Sequence, residues 1–77
     1  MTLPLLSVIR LRSDRFLEEG VGAGAIGTIV EVYDDRAYEV EFSNPETGET
    51  IALFALPRDD VELVRAPTDI SLSRAGD

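Results

Sequence analysis

Ile26-Gly27-Thr28-Ile29-Val30-Glu31-Val32-Tyr33, then Asp34-Asp35-Arg36, then Ala37-Tyr38-Glu39-Val40-Glu41-Phe42 is the stretch that decides the fold. Thr28, Val30 and Val32 alternate with Ile29, Glu31 and Tyr33. Tyr38, Val40 and Phe42 alternate with Glu39 and Glu41. Period-two alternation on both sides of a short polar turn predicts a β-hairpin. If Val30, Val32, Tyr38, Val40 and Phe42 all point inward, Val30 opposes Val40, because directly opposed residues share a face. Asp34, Asp35 and Arg36 then form the loop. Glu31 sits opposite Glu39, and Ile29 opposite Glu41, on the outer face.

The pattern extends outward from this hairpin. Pro45-Glu46-Thr47-Gly48 suits a type I turn closed by a left-handed residue. Pairing Asn44 with Glu49 across it places Phe42 opposite Ile51 and Val40 opposite Leu53. A fourth strand, apolar on both faces, then has Ile51 and Leu53 inward and Ala52, Phe54 and Leu56 outward, and Pro57 stops it. Pro57-Arg58-Asp59-Asp60 reads as a tight turn or one turn of 3₁₀ helix before a short last strand. Upstream, Leu6, Val8, Ile9 and Leu11 mark a first strand. Arg12 to Gly24 is a long connection whose Phe16, Leu17 and Val21 fold back over the core.

The expected strands lie near residues 6–11, 26–33, 37–43, 49–56 and 61–64. Their expected core is Ile9, Leu11, Val30, Val32, Tyr38, Val40, Phe42, Ile51, Leu53 and Leu63. Five short strands without a long helical pattern predict an all-β domain, a small closed barrel, over residues 1–65. Residues 66–77 read as a polar tail carrying Ile70 and Leu72.

Composition narrows the function. The 77 residues carry 15 Asp plus Glu against 7 basic residues, all Arg, for a formal net charge of -8. Without Cys there is no disulfide, thiolate metal site or cysteine nucleophile. Without His there is no catalytic triad or imidazole acid/base. Without Lys there is no Schiff base and no standard P-loop. The acidic balance opposes nucleic acid and anionic membrane. Arg10, Arg12, Arg15, Arg36, Arg58, Arg65 and Arg74 are scattered rather than striped, with five aromatics in all. No apolar run approaches a membrane span, and the N-terminus lacks a signal-peptide pattern, so a cytoplasmic location is expected. No cofactor, metal or catalytic residue is nominated.

Three blocks carry a family resemblance: Gly24 to Tyr33, Ala37 to Phe42, and Ala52-Leu53-Phe54-Ala55-Leu56-Pro57-Arg58-Asp59-Asp60-Val61. Over roughly Ser7 to Val64 the chain resembles the short bacterial proteins of the DUF 4926 type. The resemblance implies an SH3-like barrel and no activity. It also implies an accessory or antitoxin-like role beside a neighbouring protein. Gly24 to Val32 is similar to the glycine-then-strand element of KOW-type barrels, and the layout to the small SH3-like subunit of photosystem I. These are analogies of fold, which leaves function open.

Several clusters have a functional and a structural reading. Gly20, Gly22, Gly24 and Gly27 are followed by a strand, whereas a phosphate-binding loop opens a helix. Turn geometry and close backbone approach are the better reading. Asp34, Asp35, Asp59 and Asp60 lack the spacing of a calcium loop and suit turns that bond their own backbone. The outer face, by contrast, gathers Ile29, Glu31, Tyr33, Glu39, Glu41 and Phe54. An apolar patch rimmed by one sign of charge fits a protein-docking surface for a basic partner. A second copy of the chain qualifies only if its arginines meet these acids. The structural alternatives are a solvated face relieved by Arg10, Arg12 or Arg65, or a patch covered by Leu3 and Leu5 or by Ile70 and Leu72. A KOW-like nucleic-acid module is the alternative function.

Overall fold

A computed structural model describes residues 2–67. It is all-β: β1 (Val8–Leu11), β2 (Ile26–Tyr33), β3 (Ala37–Ser43), β4 (Thr50–Pro57) and β5 (Val61–Arg65), with 3₁₀ turns at Leu17–Glu19 and Arg58–Asp60. The strands form one antiparallel sheet in the order β4-β3-β2-β1-β5. The described pairings join neighbours in that order; β4 and β5 stand at its two ends and are not paired with each other. The tail expected over residues 66–77 falls largely outside the described residues.

The turns form where their residue types dictate. The three-residue loop Asp34 to Arg36 joins Tyr33 to Ala37, which are opposed. Asp34 takes φ 54, a left-handed conformation that Asp tolerates. In the next turn the Asn44 side chain accepts from the N–H groups of Glu46 and Thr47, and Gly48 closes it at φ 79. β1 starts later than expected. Pro4 to Ser7 make a turn, with Ser7 N–H donating to Pro4 O and Leu6 at φ 70. The buried Ser7 hydroxyl donates to the same carbonyl at 2.6 Å.

Two β-bulges reset the faces expected from alternation. In the hairpin, Glu31 opposes Glu39 and Val32 opposes Tyr38 as expected, but Ile29, not Val30, opposes Val40. Val30 is the extra residue. Ile29 is held in place from the other side: its N–H donates to Ser7 O and its carbonyl accepts from Leu6 N–H. An inserted residue reverses the parity of everything before it. Ile29 is therefore in the core at 0% exposure, and Val30 is only half-buried.

The second bulge inverts β4. Asn44 N–H does donate to Glu49 O at 2.8 Å, and Ser43 opposes Thr50. The register then shifts, Phe42 opposes Ala52, and Val40 opposes Phe54. Ile51 is the extra residue. Ala52 and Leu56 are buried and Phe54 packs against the core, while Ile51 and Leu53 are about half exposed at 49% and 54%.

The core comprises Ile9, Leu11, Val21, Ile29, Tyr38, Val40, Phe42, Ala52, Leu56 and Val61. The expectation that Ile51, Leu53 and Leu63 belong to it is overturned, since all three are exposed. Val30 and Val32 are half-buried, and Val32 packs against the core. The long connection does fold back. Val21 is buried and the Phe16 ring lies 5.4 Å from Phe54, which lies 5.7 Å from Phe42. Leu17 stays exposed.

Candidate functional site

The outer face of β2, β3 and β4 is organised in cross-strand rows. Tyr33, Ala37 and Pro57 form one row, Glu31, Glu39 and Ala55 the next, and Thr28, Glu41 and Leu53 the third. Side chains directly opposed in such rows lie about 4.5–5.5 Å apart at Cβ. The face therefore sets three carboxylates within one small area, next to an exposed tyrosine and an exposed leucine. Glu31 is exposed, Glu39 and Glu41 are half-buried, and Tyr33 is exposed.

Hydrogen bonds fix two of these acids. The Tyr33 hydroxyl donates to Glu39 Oε1 at 3.1 Å, and the Thr50 hydroxyl donates to Glu41 Oε2 at 2.6 Å. The bond to Glu39, slight desolvation, and the charges of Glu39 and Glu31 raise the Tyr33 phenol above its ordinary 10.0. Among the described residues no arginine pairs with these acids. Among the described residues the ion pairs are Arg10–Glu62, Arg15–Asp60 and Arg58–Asp59. Arg10, expected near this face, is thus engaged on β5 instead.

Two residues assigned to this face from alternation do not belong to it. Ile29 is fully buried, because the Val30 bulge turns it inward. Phe54 is half-buried against Phe16 and Phe42, because the Ile51 bulge turns β4 over. Leu53, Ala55 and Thr50 take their places. β4 has no polar alternation, so nothing in its own sequence reveals which set faces out. Nor is the face covered by the N-terminus: Leu3 packs against the core and its N–H donates to the Tyr38 hydroxyl, while Leu5 is exposed. Ile70 and Leu72 lie outside the described residues.

The other clusters serve the fold. Asp60, 8% exposed, accepts from Arg15 Nη1 at 2.9 Å and from the Ser13 hydroxyl at 3.4 Å. The Asp35 carbonyl accepts from Arg58, and its carboxylate from the Thr2 hydroxyl. Among the described residues no three acidic side chains converge as metal ligands do. Gly20, Gly22 and Gly27, but not Gly24, border an open groove of about 610 Å³ with Phe42, Pro45 and Ile51. Glu41 is its one ionisable lining residue, which suits no phosphate. No helix among the described residues is long and apolar enough to cross a membrane.

Residues 5–63 match the family model described as Domain of unknown function (DUF4926). The chain belongs to the DUF4926 family. The match spans all of β1 to β4 and β5 through Leu63, so the acidic face lies wholly within the DUF4926 region. No curated protein and no solved structure shows significant similarity to the chain.

Proposed function

We propose that this chain is a small, non-enzymatic protein-binding module that docks a basic protein on the outer face of β2, β3 and β4. Its role is accessory or antitoxin-like, beside a neighbouring protein. One observation carries the reading. Glu31, Glu39 and Glu41 share a face with Tyr33 and Leu53, and among the described residues none of the three has an ion-pair partner.

The physics runs from that arrangement. Like charges opposed across strands, as Glu31 and Glu39 are, destabilise a sheet. A cationic surface would relieve that repulsion and accelerate encounter. Tyr33 supplies an aromatic anchor, and such residues dominate interface energies. The same carboxylates repel a phosphate backbone. The finer architecture belongs to this proposal as well. The strand order, the long first loop and the 3₁₀ turn before β5 support an SH3-like barrel.

The test is capture from the native host with the full chain as bait, beside Tyr33→Ser and Glu39→Lys variants that retain the wild-type circular dichroism. A basic protein held by wild type and lost by both variants supports the reading. A partner held equally by all three places the site elsewhere.

A further inference from the structure

The two edges of the sheet differ in chemistry. β5 carries Glu62 and Arg65, and Glu62 pairs with Arg10 at 3.6 Å. Charged edge strands resist the addition of another strand. β4 has no charged residue over the eight positions Thr50–Pro57.

The backbone groups that β4 turns outward can be located. Arg58 N–H donates to Arg36 O at 2.9 Å. Hydrogen-bonded and non-hydrogen-bonded pairs alternate from there along an antiparallel ladder. Leu56, Phe54 and Ala52 therefore bond to β3, and Leu53 and Ala55 point their N–H and C=O groups away from it. No backbone bond from the described turns and loops reaches either residue. Both side chains are exposed.

We propose that β4 pairs antiparallel with β4 of a second copy, about a two-fold axis at Phe54. Self-complementarity selects this occupant. The axis sets the exposed Leu53 opposite the exposed Ala55 of the second copy, large against small on both sides of the axis, while Ala52 and Leu56, opposed in the same register, stay buried in their own chains. Leu53 and Ala55 both turn their backbone to the edge, so each such pair exchanges two N–H···O bonds. The Phe54 rings meet where side chains of a non-hydrogen-bonded pair come closest. Pro57, which has no N–H, falls opposite Ile51 of the second copy and ends the pairing. The Glu39 and Glu41 side chains of the two copies lie three strand spacings apart, about 14 Å. That exceeds the Debye length of about 8 Å at physiological salt. The pairing uses the backbone edge of β4, where Leu53 and Ala55 border the acidic face, and leaves the carboxylates and Tyr33 free. Its salt dependence is opposite to that of docking on the acids: screening strengthens it.

Sedimentation velocity of the full chain across a concentration series tests the pairing, at low and at physiological salt. Ala55→Pro removes an N–H that β3 does not use, and Leu53→Lys puts a charge on the edge; both substitutions are at exposed positions. Tyr33→Ser, on the acidic face, is the control. The wild type and Tyr33→Ser form dimers that tighten with salt, while Ala55→Pro and Leu53→Lys, whose thermal transitions match the wild type's at concentrations where it is monomeric, dimerise at least about tenfold more weakly. Hydrogen exchange at the Leu53 and Ala55 amides slows as concentration rises. A wild type that stays monomeric, or variants that dimerise equally well, overturns the proposal. So does protection of these amides independent of concentration, which would put the chain's own residues 68–77 on the edge.

Discussion

A Cβ atom on Gly27 would lie 2.6 Å from Val40 Cγ1, closer than such atoms pack. It would also meet Phe42 Cδ1 at 2.9 Å and the Glu41 carbonyl oxygen at 3.0 Å. The oxygen belongs to a paired strand and cannot rotate away. Gly27 thus lets β2 lie close against the inward side chains of β3. Gly27→Ala is expected to destabilise the fold by about 1–3 kcal/mol through overpacking. Urea unfolding measures this, and an unchanged midpoint would contradict the close approach.

The two bulges predict opposite costs for an inward and an outward aliphatic residue. Ile29→Ala, in the core, is expected to cost about 2–5 kcal/mol. Leu53→Ala, on the exposed face, should stay within about 0.5 kcal/mol in the monomer. In a domain this small the first change approaches the whole stability. Thermal unfolding at low protein concentration reads both. The reverse order would restore the uninterrupted alternation and move Leu53 into the core.

How far the fold could be read from the chain follows from those same residues. Turn chemistry is local, so the Asp34 to Arg36 loop, the Pro45 to Gly48 turn and the 3₁₀ turn at Arg58–Asp60 lie where their residue types put them. β2 and β3 have the predicted bounds. A bulge, however, is decided by the strand on the far side. Val30 is extra because Ser7 and Leu6 hold Ile29, and these lie more than twenty residues away in sequence. Ile51 is extra within a strand that is apolar throughout, so period-two reasoning had no polar mark to detect the slip. Glu31 and Tyr33 stayed on the outer face because they lie on the hairpin side of the first bulge, and Glu39 and Glu41 because the extra residue is in β2 and leaves the alternation of β3 intact.

The Tyr33 phenol gives a pH signature of the acidic face. Its pKa is raised above 10.0, first by the hydrogen bond to Glu39. The folded chain therefore holds this proton more tightly than the unfolded chain. The stabilisation is whole below pH 10 and is lost as pH rises through the folded-state value. Glu39→Gln removes a negative charge and should bring Tyr33 back toward 10.0. Ring chemical shifts against pH measure it, and an unchanged titration would show that Glu39 does not hold the hydroxyl.

Asp60 ties the long connection to the end of the sheet. Its carboxylate holds Arg15 and Ser13, and its carbonyl accepts from Arg12 N–H at 2.7 Å. Arg15 in turn lies over the Phe16 ring at 5.5 Å. Asp60→Ala keeps the carbonyl that holds Arg12 N–H but takes the buried carboxylate from Arg15 and Ser13, and should cost about 1–3 kcal/mol. Arg15 is 65% exposed, so Arg15→Ala should cost less than about 1 kcal/mol. Equal losses from the two would place the anchoring in the ion pair rather than in the buried carboxylate.

The acidic face is tested most directly by the association rate of the captured basic partner with wild type and with the Glu31→Lys/Glu39→Lys double variant. The swap keeps like charges opposed, so the sheet is no worse off across that row. Rim charges act chiefly on encounter. The wild-type rate should fall steeply as salt is added, and the double variant should associate at least about tenfold more slowly at low salt, with little or reversed salt dependence. An equal rate and an equal salt dependence in the two proteins would contradict docking on this face.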